Sequence, residues 1–189
     1  ESVLLMQNDS AIPQAQKSPI AETMELGGTW TLSAPVQNTL TLDKAALSYD
    51  GKMYTELLPV PYISERLLRE KTNRKIWLRY AFAADHLPDD LTLELETLQN
   101  AKLSVNGTEI SLTGQGVLDR SFVRGNIAAL ARKGENEIVL ELDYFQLQQT
   151  YDVFDGFYYG NGEVTETLMN CVSYETNIEA MYLFGSFSV

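Results

Sequence analysis

Ala101-Lys102-Leu103-Ser104-Val105-Asn106-Gly107-Thr108-Glu109-Ile110-Ser111-Leu112 reads as two short strands closed by a two-residue turn. Leu103 and Val105 alternate with Lys102 and Ser104, the period of a half-buried strand. Asn106-Gly107 offers the two positive-φ positions that a type I′ hairpin needs. The same period recurs outward from this point. Upstream, Leu91, Leu93 and Leu95 alternate with Thr92, Glu94 and Glu96, which places leucines inward and acids outward. Ile76, Leu78, Tyr80 and Phe82 enclose Trp77 and Arg79, so those two share the opposite face, where Arg79 is expected to stack or to pair with an acid of the next strand such as Glu94 or Glu96. Trp30, Leu32, Leu40 and Leu42 alternate, and Leu47 and Tyr49 lead into a hairpin-type turn at Asp50-Gly51. Downstream, Phe122-Val123 suggests a strand, Ile127 to Leu130 a single helical turn, and Ile138 to Tyr144 a clear strand. One helix is expected over 62–75, capped by Ser64, with Leu67 and Leu68 facing inward. Short strands at near-regular spacing, separated by turn residues, predict an all-β, two-sheet antiparallel β-sandwich with one short helix. A parallel sheet would need amphipathic crossover helices.

The chain has 189 residues, with 14 Lys plus Arg against 26 Asp plus Glu and a net charge of −12. That field repels nucleic acid and anionic bilayers. No run of about 18 apolar residues occurs, the length that a membrane-spanning helix requires. A single cysteine, Cys171, cannot close an intrachain disulfide, and its mostly apolar surroundings suggest a buried, inert thiol. The single histidine, His86, sits in Ala-Ala-Asp-His-Leu-Pro-Asp-Asp, which reads as a polar turn and argues against a nucleophile–histidine arrangement. Gly27-Gly28 and Gly160-Asn161-Gly162 lack the strand–helix context of a phosphate loop.

Residues 1–18 read as a flexible leader or edge segment and 19–189 as one sandwich domain, with 170–189 either completing a sheet or starting a further domain. The first residue, Glu1, is not Met, which suggests a processed product or a fragment of a longer polypeptide. The last third differs in kind. After Lys133 there is no Lys or Arg, and the stretch 151–163 is dense in aromatic and acidic side chains. Tyr151, Asp152, Phe154, Asp155, Tyr158, Tyr159 and Asn161 combine flat apolar rings with hydroxyl-accepting oxygens, the chemistry of a sugar contact. The same aromatics also suit a core or a docking face, since aromatics are enriched at interfaces. Paired acids at Asp152/Asp155, Asp89/Asp90 and Glu94/Glu96 are candidates by count for glycoside hydrolysis, although the last two pairs read as a turn and a solvated strand face. The basic run Arg66 to Arg79 reads as a solvated face balancing nearby acids.

Ile76-Trp77-Leu78-Arg79-Tyr80-Ala81-Phe82, Ala101 to Gly107, Asp119-Arg120-Ser121-Phe122 and Lys133-Gly134-Glu135-Asn136-Glu137-Ile138-Val139-Leu140 occur in the order found in one family. They resemble the sugar-binding-type jelly roll, galactose-binding-domain-like, of family 2 glycoside hydrolases and related large bacterial glycosidases of the rhamnosidase-like kind. The match covers roughly residues 76–145, and Asn38 to Asp43 with Tyr49-Asp50-Gly51 resembles the strands that precede this core. The resemblance implies a non-catalytic accessory module of a large secreted glycoside hydrolase, whose catalytic acids stand on a separate barrel. A free-standing lectin-like, carbohydrate-binding module is the alternative. It implies a bacterial secreted, periplasmic or cell-surface location, and as partners the neighbouring domains of the parent chain and plant or host glycans. No cofactor is expected. A structural calcium is compatible with such modules, with Asp43, Asp50, Asp119 and Asp143 available but unplaced.

Overall fold

A computed structural model describes residues 23–25, 27–29, 37–97, 100–160 and 166–189. The chain divides into two units, Glu1–Pro35 and Val36–Val189. In the first, the described residues are exposed and carry neither helix nor strand. The leader expected over 1–18 and the alternating Trp30 and Leu32 lie outside the described residues.

The second unit is built from two antiparallel sheets, as the period-two patterning predicts. The five-stranded sheet has the order β1 (Asn38–Leu42), β11 (Met181–Gly185), β5 (Thr92–Glu96), β9 (Phe122–Asn126), β8 (Gly114–Gln115). The six-stranded sheet runs β3 (Leu58–Pro59), β2 (Lys44–Ser48), β4 (Arg74–Ala84), β10 (Gly134–Tyr144), β6 (Ala101–Val105), β7 (Thr108–Ile110). Register turns the sequence alternation into continuous apolar rows. Leu47, Leu78, Leu140, Leu103 and Ile110 stand side by side across one sheet. Leu40, Leu183 and Leu93 do the same across the other. Apart from the partly buried Leu40 and Ile110, which pack against it, these rows belong to one buried cluster, completed by Ile76, Tyr80, Val105, Ile138 and Met181. Within it the Tyr80 hydroxyl donates to the Glu179 carbonyl oxygen at 2.9 Å, which anchors the segment before β11. The Ile178–Val189 stretch thus supplies a strand inside the five-stranded sheet.

Among the described residues three helices accompany the sheets: α1 (Val60–Arg69), α2 (Gln148–Tyr159) and α3 (Glu166–Asn170). The expected helix is α1, and Leu67 and Leu68 are buried as its spacing requires. It starts earlier than expected, however. Pro59 is the N-cap, a second proline stands in the first turn, and Ser64 falls in mid-helix without a capping role. Proline suits a helix start because its missing N–H would be unpaired there anyway. The helix also ends before 75: Lys71 takes a positive φ of 48°, and Thr72 N–H bonds the Leu67 carbonyl. The Asn106-Gly107 hairpin forms as read, with φ of 48° and 83°. The Asp50-Gly51 turn opens a wider loop than a two-residue hairpin, closed by Thr55 N–H on the Leu47 carbonyl. That loop folds back over β4. Gly51 has φ +71° and would place a Cβ 3.0 Å from the Trp77 ring, so a side chain there would strain the backbone and press on that ring.

Candidate functional site

The aromatic–acidic stretch is helical. Tyr151, Phe154 and Tyr158 follow a three-then-four spacing, which puts them on one face of α2. Tyr151 and Phe154 are buried and cluster with Leu68 of α1. The Tyr151 hydroxyl donates to the Thr72 carbonyl at 2.5 Å. Their rings therefore hold the helix to the sandwich and are not presented to a ligand. Asp155 pairs with Lys71 at 2.6 Å, and Asp152 accepts from the Gln148 amide at 2.8 Å. Asn161 lies outside the described residues. Tyr158 and Tyr159 remain outward at 44% and 64% exposure, beside Phe157 at 40%. Phe154, Tyr158, Phe157 and Tyr159 form a chain of ring contacts, with centroid separations of 4.6 Å (Phe154–Tyr158), 5.2 Å (Phe157–Tyr158) and 6.4 Å (Tyr158–Tyr159). The Arg69 guanidinium lies 5.4 Å from the Tyr158 ring centre. Of the seven residues singled out in the sequence, the structure thus exposes two aromatics on a continuous ring cluster, buries two, and engages both acids locally. Phe157 completes the cluster and is found by asking which α2 positions lie outside the buried face.

In each of the other acid pairs, one carboxylate, Glu94 or Asp90, accepts hydrogen bonds from the backbone. Glu94 is fully buried, against the expected outward acids of β5. Its Oε1 accepts from the N–H groups of Val117 and Leu118 at 2.8 and 2.9 Å, and its Oε2 has no hydrogen-bond partner among the described residues. The loop after β8 covers this face of the strand, a long-range contact that alternation alone does not reveal. Burial raises the Glu96 carboxyl above the usual Glu range, and the Glu179 charge adds to the shift. Asp90 accepts from the Ser186 N–H at 2.9 Å, the Ser186 hydroxyl at 2.8 Å and the Gln37 amide at 3.1 Å, which holds its carboxyl below the usual range. His86 is exposed in a turn, as read. Cys171 is exposed just beyond α3, not buried in a strand, because the segment before it is helical.

Among the described residues, no group of three His, Cys, Asp or Glu side chains is arranged to hold a metal ion. Two of the four acids considered for calcium cap their own turns. Asp50 accepts from Lys52 N–H and Met53 N–H at 2.8 and 2.9 Å, and Asp119 from Ser121 N–H at 2.8 Å. No helix among the described residues is long and apolar enough to cross a membrane.

Of the two roles read for Arg79, the structure shows stacking. Glu94 and Glu96 belong to the opposite sheet, and the guanidinium instead lies over the Tyr54 ring at 4.2 Å. It borders a trough of about 380 Å³ on the outer face of the six-stranded sheet, between the 55–57 loop and the 132–137 turn. The basic run otherwise pairs as read, through Arg66–Glu70, Arg69–Glu65, Lys71–Asp155 and Lys75–Glu141.

Solved structures with a similar course of chain include a β-glucuronidase from Ruminococcus gnavus in complex with C6-substituted uronic isofagomine. It is 16% identical, with a TM-score of 0.43 over 65% of this chain and 24% of that one. A β-D-glucuronidase from Dictyoglomus thermophilum is 16% identical, with a TM-score of 0.44 over 60% and 21%. A β-glucuronidase from an uncultured Clostridium is 18% identical, with a TM-score of 0.41 over 61% and 24%. The matched region spans under a quarter of the length of each. No family model and no curated protein matches the chain.

Proposed function

We propose that this β-sandwich is a non-catalytic accessory module of a large secreted glycoside hydrolase, galactose-binding-domain-like in fold, which docks on a neighbouring domain of its parent chain through α2. The observation that carries the docking is the ring cluster of Phe157, Tyr158 and Tyr159. It is half-exposed at the end of a helix whose other face is already spent on Leu68. Contiguous exposed aromatics of this kind are typical of surfaces that meet another surface. The glycosidase setting rests on the ordered motifs of residues 76–145, and the structure supplies a physical reason why two of them occur together. Asn106 of the hairpin and Asn136 of the Gly134-Glu135-Asn136 turn are directly hydrogen-bonded at 2.8 Å.

A second reading, a lectin-like module, draws on Tyr158 and Tyr159, whose exposed faces could stack on a sugar. Catalysis by Asp152 and Asp155 is disfavoured because each is engaged by a neighbour, Gln148 and Lys71. Two tests apply. The reading frame that carries this chain should encode a separate barrel with two catalytic carboxylates, and a frame without one would contradict the module assignment. The 189-residue chain should turn over none of a panel of aryl glycosides. Turnover that Asp152→Asn or Asp155→Asn abolishes would contradict the non-catalytic role.

A further inference from the structure

The trough beside Arg79 lies on the opposite sheet from Glu94 and away from the α2 ring cluster, and the docking role does not use it. Its volume of about 380 Å³ falls at the lower end of the range of small-molecule sites, roughly 300–1,000 Å³. The sequence builds it in three parts. Ala81 of β4, which is exposed, and Ala46 of β2, which is buried in register with Arg79, put only small side chains on the floor. The loop that Gly51 seats on Trp77 continues through Tyr54 and Thr55 to form one wall. The turn locked by Asn136, through its bonds to the Arg132 and Gly134 carbonyls, forms the other. Both walls are therefore pre-formed.

The polar groups at the rim are of both signs. Among the described residues the Arg79 guanidinium makes no ion pair and no hydrogen bond, and its close partner is the Tyr54 ring. Arg132 uses only its Nε, on the Glu135 carbonyl at 3.0 Å. Glu56, Glu135 and Glu137 line the same space. Three carboxylates against two guanidiniums disfavour an anion, particularly on a chain of net charge −12. A flat nucleobase would need a free aromatic face, and the nearest one, Tyr54, is stacked by Arg79. Sugar hydroxyls fit, because each can accept from a guanidinium and donate to a carboxylate at once, while C–H groups rest on the alanine floor.

We infer that this trough, walled by Arg79, Arg132 and Glu137 over Ala46 and Ala81, is a binding subsite for a neutral pyranose unit of a glycan. The inference goes beyond the docking role and gives the glycan contact of the second, lectin-like reading a place on the six-stranded sheet instead of on α2.

The test is an amide NMR titration of the full chain with methyl glucoside, methyl galactoside and methyl mannoside. Shifts should appear for Thr55, Ala81 and Glu137 with at least one of them, at millimolar affinity. Ala81→Leu fills the floor at an exposed position and removes no polar group. It should weaken binding by about tenfold or more, as should Arg132→Gln, with the rest of the spectrum unchanged. Shifts confined to Phe157–Tyr159, or shifts at the trough that neither variant reduces, would overturn this site while leaving glycan contact standing. No shift with any of the three sugars would overturn the site and the glycan contact together, leaving the docking role to its own tests.

Discussion

Asn136 is buried, and its amide makes four hydrogen bonds: to the Arg132 and Gly134 carbonyls, from the Arg132 N–H, and from the Asn106 amide. Asn106 in turn accepts from the Glu137 N–H and donates to the Leu130 carbonyl. One pair of amides thus fixes the hairpin turn, the single helical turn at 127–130 and the start of β10. Sequence shows both asparagines as local turn residues; their meeting depends on β6 lying beside β10 and cannot be read from spacing. Asn136→Ala leaves several buried groups unpaired and should cost about 2–3 kcal/mol in urea unfolding. Glu94 teaches a related lesson. Alternation correctly puts it on the face opposite Leu93 and Leu95, yet the loop at 116–118 covers that face. Val117 and Leu118 are 61% and 49% exposed, so their apolar side chains do little to hold the loop, and Glu94 Oε1 holds their backbone. Glu94→Ala should speed amide hydrogen exchange at Val117 and Leu118 far more than in β5 itself; unchanged exchange there would show that the carboxylate is not the clasp.

At the scale of elements, the strands were legible because each buries one face against a partner sheet, and period two survives in Leu91–Leu95 and Ile76–Phe82. Helix α2 was not, because its buried face is only Thr150, Tyr151 and Phe154. The density of aromatics around them masks the helical period and draws the eye to surface chemistry. Tyr151 is the pin of this helix. Tyr151→Phe keeps the packing and loses the bond to Thr72, which should cost about 1 kcal/mol, whereas Tyr151→Ala should cost about 3–5 kcal/mol. The difference, read by thermal unfolding, separates hydrogen bond from burial. Strand β5 carries a pH signature. The folded Glu96 carboxyl is raised by burial and then by Glu179, so its ionisation opposes folding. Stability is greatest below the ordinary Glu range and falls as pH rises through the raised folded value. Glu96→Gln should therefore be more stable than the parent at neutral pH, with the advantage vanishing below the ordinary Glu range. The turn carboxylates act in the opposite sense. Backbone N–H donors lower Asp50 and Asp119, and the Ser186 N–H lowers Asp90. Their contribution is fully present above the ordinary Asp range and is lost as pH falls through the lowered folded values.

For the whole molecule, charge and patterning give an acidic two-sheet sandwich, and the register confirms it row by row. What sequence leaves open is which surfaces remain free once the core is closed. The acids and rings of 151–163 look equivalent in the sequence, but folding spends Tyr151 and Phe154 on α1, ties Asp155 to Lys71, and leaves Phe157, Tyr158 and Tyr159 facing outward. The proposed docking rests on that residual face. The most direct measurement is hydrogen exchange along α2, compared between this chain alone and a longer polypeptide in which it is joined to the proposed neighbouring domain. A docked α2 predicts slower exchange at Phe157, Tyr158 and Tyr159 in the longer polypeptide, with β4 and β10 unchanged. Equal exchange at those three residues in both would contradict it.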